Sequence, residues 1–189
     1  MAEIRLDLLR PAMEEIPQLF AVHGKKLIAT CRPDVYSDTE RIAILKKAID
    51  SGCGYVDLEV DASTDFLHEM IPYAKRKACK IILSYHNTEK TPDRESLEST
   101  IAECLSHGAD VVKIAAQTHT EKDAARILSL YAEHKNIVAI GMGEQGKITR
   151  IASLLLGAPF TYASPDKGKL TAPGQFTESE MRTIIRLLK

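Results

Sequence analysis

The sequence predicts an α/β fold of the TIM type, a (β/α)8 barrel in which seven strands are visible and the first βα unit is absent. Three observations predict it. Short apolar segments recur at nearly even spacing, at residues 3–8, 26–31, 55–60, 80–86, 110–116, 136–142 and 160–163. Stretches with helical periodicity alternate with them, as in parallel sheets joined by crossover helices. Charged or polar side chains mark one face of four of the strands. A doubly wound sheet has helices on both faces and its strands read apolar on both. A barrel strand has one face lining an interior whose upper layer can be polar.

Each element has its own reason. In Glu3-Ile4-Arg5-Leu6-Asp7-Leu8 the charges alternate with aliphatics, and Tyr55-Val56-Asp57-Leu58-Glu59-Val60 repeats the pattern. Residues 41–49 carry apolar positions three and four apart, a helix. In Ile81-Ile82-Leu83-Ser84-Tyr85-His86 one face holds Ser84 and His86. Thr91-Pro92 before residues 93–106 reads as an N-cap with proline at the first helical position. Val111-Val112-Lys113-Ile114 places one lysine among aliphatics. Gly146 and Gly157 bracket a helix between the sixth and seventh strands, and Thr177 with Glu180 forms a capping box for residues 181–188. One more period backwards from Glu3 falls before Met1, so the barrel is expected to be open between its first and last strands, or closed there by another chain.

The 189 residues, 44% hydrophobic and 27% charged, suit a single domain over 1–189. Lys+Arg 25 against Asp+Glu 26 leaves a net charge of −1, which disfavours nucleic acid as a partner. The apolar run at residues 151–160 is interrupted by Ser153 and Gly157 and is too short to span a bilayer, so no membrane association is expected. Charges at the N-terminus occupy the place of a signal peptide's apolar core, and a cytoplasmic location is expected. Cys31, Cys53, Cys79 and Cys104 lack metal-ligand spacing and read as reduced, buried thiols.

Lys113 is the most informative position. A cation among aliphatics is tolerated only paired or neutral, and a neutral amine is the nucleophile that forms a Schiff base with a ketone. An edge-strand lysine, or an ion pair with Asp57 or Glu59, is the competing reading. His86 ends its strand where barrel chemistry is done and suits acid–base work, although a loop histidine bonded to backbone reads the same way. The other histidines, His23, His68, His107, His119 and His134, are expected to face solvent. Arg5, Arg32 and Arg150 fall at element ends, where a guanidinium can grip a carboxylate in two places or simply join a surface ion pair. Gly141-Met142-Gly143-Glu144-Gln145-Gly146 fits G-x-G-x-x-G, yet it follows the sixth strand instead of the first. Ile148 also stands where a P-loop needs Ser or Thr, so a tight turn that brings backbone close to a ligand is expected.

Together these segments resemble the type I 3-dehydroquinate dehydratases, Schiff-base enzymes of the shikimate pathway. Glu3-Ile4-Arg5-Leu6-Asp7 is similar to the family's E-x-R-x-D strand, and Ala29-Thr30-Cys31-Arg32-Pro33 to its arginine strand. Ser84-Tyr85-His86 followed by Thr91-Pro92 resembles the catalytic-histidine segment, and residues 109–115 the Schiff-base lysine strand. Met142-Gly143, Gly146 and Thr149-Arg150 resemble the M-G-x-x-G-x-x-S-R turn, and Thr171-Ala172-Pro173-Gly174-Gln175 the S-A-P-G-Q loop. The resemblance implies a lyase in which Lys113 condenses with the ketone of 3-dehydroquinate and His86 moves the protons. Arg150 would hold the carboxylate, and Glu3, Arg5, Arg32, Thr171 and Gln175 the hydroxyls. Residues 164–175 would form a lid, with no metal or organic cofactor, and a homodimer is expected. Tyr36 stands where the family has a glutamate that pairs with the histidine, a task that would pass to Asp57 or Glu59. Thr171 replaces the usual serine, and the strand and helix that precede E-x-R in the family are missing. A Schiff-base aldolase barrel and a degenerate, non-catalytic barrel are the rival readings.

Overall fold

A computed structural model describes residues 1–166 and 174–188. The elements in chain order are β1 (Ala2–Arg5), α1 (Leu6–Leu9), α2 (Ile16–Phe20), β2 (Leu27–Thr30), α3 (Asp38–Asp50), β3 (Tyr55–Glu59), α4 (Thr64–Arg76) and β4 (Lys80–Asn87). They continue with α5 (Arg94–Ser106), β5 (Val111–Gln117), α6 (Glu121–Ser129), β6 (Ile137–Met142), α7 (Lys147–Leu155) and α8 (Glu178–Leu187). The fold is therefore α/β, and the strand pairs given below are all parallel. No described helix is long and apolar enough to cross a membrane. The chain forms two compact units, Met1–Ser84 with Glu103–Val111, and Tyr85–Ala102 with Val112–Lys189.

In the first unit β1, β2, β3 and the start of β4 lie side by side in chain order. Four strands in unbroken sequence have no point where the order reverses, which separates them from a doubly wound sheet. Register sorts the faces of the strands as the alternation predicts, but residues 6–8 do not continue the first strand: β1 ends at Arg5, and α1 buries Leu6 and Asp7 together and exposes Leu8. Arg5 stands beside Thr30, Thr30 beside Asp57, and Glu59 beside Ser84. On the other face Ala29, Val56 and Ile81 align, and Leu58 meets Leu83, all fully buried. Helix α3 starts at a capping box in which Ser37 accepts from the Glu40 N–H and Glu40 accepts in return.

The turns that lead helices into strands in this unit repeat one geometry. The Cys53 N–H donates to the Ala48 carbonyl, the Cys79 N–H to that of Ala74, and the Ala109 N–H to that of Cys104. The residue before each donor is left-handed: Gly52 at φ 91°, Ala78 at φ 52° and Gly108 at φ 81°. These are helix C-caps that favour glycine, and Ala78 carries a Cβ into the conformation that disfavours one. Cys53 and Cys79 thereby bring their thiols 3.6 Å apart, and all four cysteines are free and buried, as expected.

In the second unit β5 and β6 pair with Lys113 opposite Val138 and Gln117 opposite Met142. The expected capping box at Thr177 and Glu180 begins α8, and Gly146 is the N-cap of α7. Three readings need correction. Thr91 does not cap the following helix: its hydroxyl donates to the Gln117 carbonyl at 2.7 Å, while the Asp93 carboxylate accepts from the Ser96 N–H at 2.8 Å. His134 does not face solvent freely, because its Nε2 lies 2.5 Å from a Glu98 oxygen. Residues 160–163 form no strand ladder. Pro159 and Pro165 frame them, Thr161 is tied by its hydroxyl to the Arg150 carbonyl, and only Ser164 makes an isolated bridge, to Thr177. Six strands are described where seven are expected, and the seventh, on which the expected missing first unit rests, is not among them.

Ala78→Gly should relieve the left-handed strain and stabilise the protein by about 1 kcal/mol. Gly108→Ala should destabilise it by a similar amount. Urea midpoints at constant m-value check both.

Candidate active site

On the polar face of the first unit every charge has a partner, because burying an isolated ion costs far more than burying a pair. The Arg32 guanidinium lies 2.5 Å from Glu59 Oε1, 3.0 Å from Asp57 Oδ1 and 3.1 Å from the Ser84 hydroxyl. Ser84 in turn donates to Asp57 at 2.6 Å. Burial opposes the charge on Arg32, but the two carboxylates outweigh it and raise its pKa above the ordinary arginine value. Glu3 accepts from the Thr30 hydroxyl at 2.8 Å. Arg5 grips Asp7 with both arms, Nε at 3.0 Å and Nη2 at 2.6 Å, and the bond to Asp7 raises its pKa. Burial pushes the Asp7 carboxyl up; the Arg5 bonds and the Arg32 backbone N–H outweigh it and hold Asp7 below the ordinary carboxylate range. Glu3, Arg5 and Arg32 also feel one another's charge, so three of the residues expected from sequence share one electrostatic neighbourhood.

One member of this network carries no role in the sequence reading. Arg41 of α3 is 2% exposed, and its Nη2 donates to the second oxygen of Glu59. Its position was visible in the pattern, since residues 41, 44, 45 and 48 form the buried stripe of that helix. Glu59 is thus shared between two guanidiniums. Tyr36, half-buried, precedes the Ser37 cap.

In the second unit Lys113 is 5% exposed at the middle of β5, and its Nζ lies 4.5 Å from the centre of the Tyr162 ring. An aromatic face at that distance favours a cation, whether ammonium or protonated imine. His86 is half-buried near the C-terminal end of β4. Arg150 sits in α7 and is 1% exposed, and its Nε and Nη1 have no hydrogen-bond partner among the described residues. Burial alone lowers its pKa, to about 10, so it stays charged at neutral pH. A buried guanidinium with unmet donors is the kind of group that suits an anion. Gln175 is half-buried, and Thr171 and most of the expected lid lie outside the described residues.

A glycine turn leads into α7, the helix that carries Arg150. A Cβ on Gly146 would stand 2.4 Å from the Gly141 carbonyl carbon, and one on Gly174 2.3 Å from the Gly143 oxygen. Thr149 locks the turn by accepting from the Gly141 N–H at 2.7 Å and donating to the Gly146 carbonyl at 2.6 Å. The expected tight turn is present, and its glycines admit a close approach of backbone to backbone. Among the described residues Glu98, Glu133 and His134 have the spacing of metal ligands, but Arg94 already bonds both carboxylates.

A family model described as Type I 3-dehydroquinase matches residues 1–189. The chain belongs to that family. It is 36% identical over 198 residues to the 3-dehydroquinate dehydratase of Methanococcus maripaludis strain C7, covering 100% of this chain and 88% of the relative. The Pyrococcus abyssi 3-dehydroquinate dehydratase is 35% identical over 192 residues, covering 98% and 86%. Among solved structures, the type I 3-dehydroquinate dehydratase of Clostridium difficile superposes with a TM-score of 0.86 at 24% identity, over 98% of this chain and 80% of that one. The 3-hexulose-6-phosphate synthase of Salmonella typhimurium is more distant, at a TM-score of 0.57 and 16% identity. Membership in the type I 3-dehydroquinase family makes the protein a lyase.

Arg150→Met should raise the melting temperature, because it replaces a buried charge that no described residue compensates by a side chain of similar length. The penalty on the native arginine is present at neutral pH and lifts only above pH of about 10, where the folded state can release the proton. Thermal melts of both proteins at neutral pH check the sign.

Proposed function

We propose that the protein dehydrates 3-dehydroquinate to 3-dehydroshikimate through a Schiff base on Lys113. The observation that carries this chemistry is the Lys113 amine, buried mid-strand beside the Tyr162 ring. Family membership supports the substrate. The amine adds to the C3 ketone and water leaves, giving an imine. Once protonated, the imine draws electrons and acidifies the neighbouring C2–H, and the Tyr162 face favours its positive charge. His86 takes the C2 proton, the electrons form the C1–C2 double bond, and the C1 hydroxyl departs with a proton from the histidine. Hydrolysis of the imine returns Lys113 and releases the enone, for a net loss of one water.

Arg150 holds the substrate carboxylate, a role supported by its unsatisfied donors. Glu3, Arg5, Arg32 and Gln175 orient the hydroxyls, with Thr171 assigned by its place in the T-A-P-G-Q loop. The lysine supplies the electrophile, so the reaction needs neither metal nor organic cofactor. A cytoplasmic homodimer, with one domain over residues 1–189, completes the proposal.

Borohydride added together with 3-dehydroquinate should leave a reduced adduct on the Lys113 peptide, read by peptide mass. An adduct on another lysine, or none in an active preparation, rejects the assignment. His86→Ala should still trap substrate while forming the enone about 10²- to 10⁴-fold more slowly, followed by ultraviolet absorbance. Wild-type turnover in that variant moves the acid–base role elsewhere.

A further inference from the structure

We infer that Arg41 is a positioning residue for the reaction, holding the Arg32 guanidinium in its working orientation through Glu59 and through the backbone of Cys31. The inference rests on the proposed contact between Arg32 and substrate. Arg41 uses all three of its guanidinium nitrogens. Nε donates to the Cys31 carbonyl at 2.8 Å, Nη1 to Asp38 Oδ1 at 2.9 Å, and Nη2 to Glu59 Oε2. The Phe66 ring lies beneath the guanidinium carbon at 4.3 Å. Cys31 immediately precedes Arg32, and Glu59 Oε1 is bonded to Arg32 Nη1. A closed circuit results: from Arg41 to the Cys31 carbonyl, along one peptide link to Arg32, from its side chain to Glu59, and back to Arg41.

The circuit decides where Arg32 can point. Asp57 and Glu59 lie two residues apart on the same face of β3, and both bond Arg32. With Arg41 in place, two guanidiniums face two buried carboxylates, and Glu59 gives Arg32 only one of its oxygens. Without it, Arg32 alone would have to compensate both acids and would be drawn further onto them. A lysine at position 41 keeps the charge but gathers its donors on one nitrogen, so it cannot span the separate positions of the Cys31 carbonyl, Asp38 and Glu59 that Arg41 reaches with three nitrogens. Stability by itself is a weak reason for so buried a group, since apolar side chains of similar volume often replace buried ion pairs without loss.

The test is a double-mutant cycle of wild type, Arg41→Lys, Arg32→Lys and the double variant, assayed by formation of the conjugated enone from 3-dehydroquinate, with melting curves for each. Arg41→Lys should raise KM about tenfold with kcat within about threefold, and should change KM by less than about twofold when Arg32 is already lysine. A purely structural role predicts the same factor in both backgrounds, and that result overturns the inference. So does an unchanged KM in Arg41→Lys when Arg32→Lys raises it. If Arg32→Lys leaves KM unchanged, or wild type forms no enone, the proposed function fails first and the inference falls with it. If Arg41→Lys does not fold, Phe66→Leu removes the ring beneath the guanidinium and leaves its hydrogen bonds. It should raise KM about threefold with native Arg32 and not at all with lysine there, and equal factors again reject the inference.

Discussion

Glu59 accepts a guanidinium on each of its two oxygens, and much of the first unit follows from that arrangement. A carboxylate buried on a strand is intolerable alone, so β3 can carry both Asp57 and Glu59 only if neighbouring elements bring cations to them. Arg32 arrives from the end of β2 and Arg41 from the buried stripe of α3. The pairing therefore ties a helix and two strands by charge as well as by apolar packing. It also explains how a face lined with acids and bases can be nearly as buried as the aliphatic face behind it.

The second unit handles charge differently. There Lys113 lies against an aromatic ring, and Arg150 has donors with no protein partner among the described residues. In the first unit two carboxylates compensate Arg32, whereas around Arg150 the described residues leave two donors unmet. The glycine turn before α7 depends on the missing Cβ atoms, because one on Gly146 would stand 2.4 Å from the Gly141 carbonyl carbon.

Alternation of charge along residues 3–5 and 55–59 was enough to sort the faces of the strands. It failed at residues 6–8, where the chain turns into α1 and buries Leu6 and Asp7 together while Leu8 is exposed. Lys113 stood out because a lysine in an aliphatic run has few explanations. What was not legible depended on partners distant in sequence. Thr91 has the chemistry of a cap, and nothing local says that the Gln117 carbonyl would claim its hydroxyl. Residues 160–163 have the composition of a strand, but a ladder needs a neighbour, and the tether from Thr161 to Arg150 is a tertiary fact. Arg41 could have been found, since it shares a helical stripe with Ile44, Leu45 and Ala48. A charge on such a stripe is easily passed over as a boundary residue.

All four thiols are buried and all four belong to the first unit, at Cys31, Cys53, Cys79 and Cys104. The sequence of the second unit contains no cysteine. Alkylation by a small thiol reagent thus becomes a clock for the opening of one half of the protein, with the other half silent. Cys53, whose thiol is made a poor acid by its contact with Cys79 and by burial, has almost no thiolate to offer while its turn stays closed. Its labelling rate counts excursions of that turn, and the local stability of the half that carries Arg32 can be read without following the half that carries Lys113.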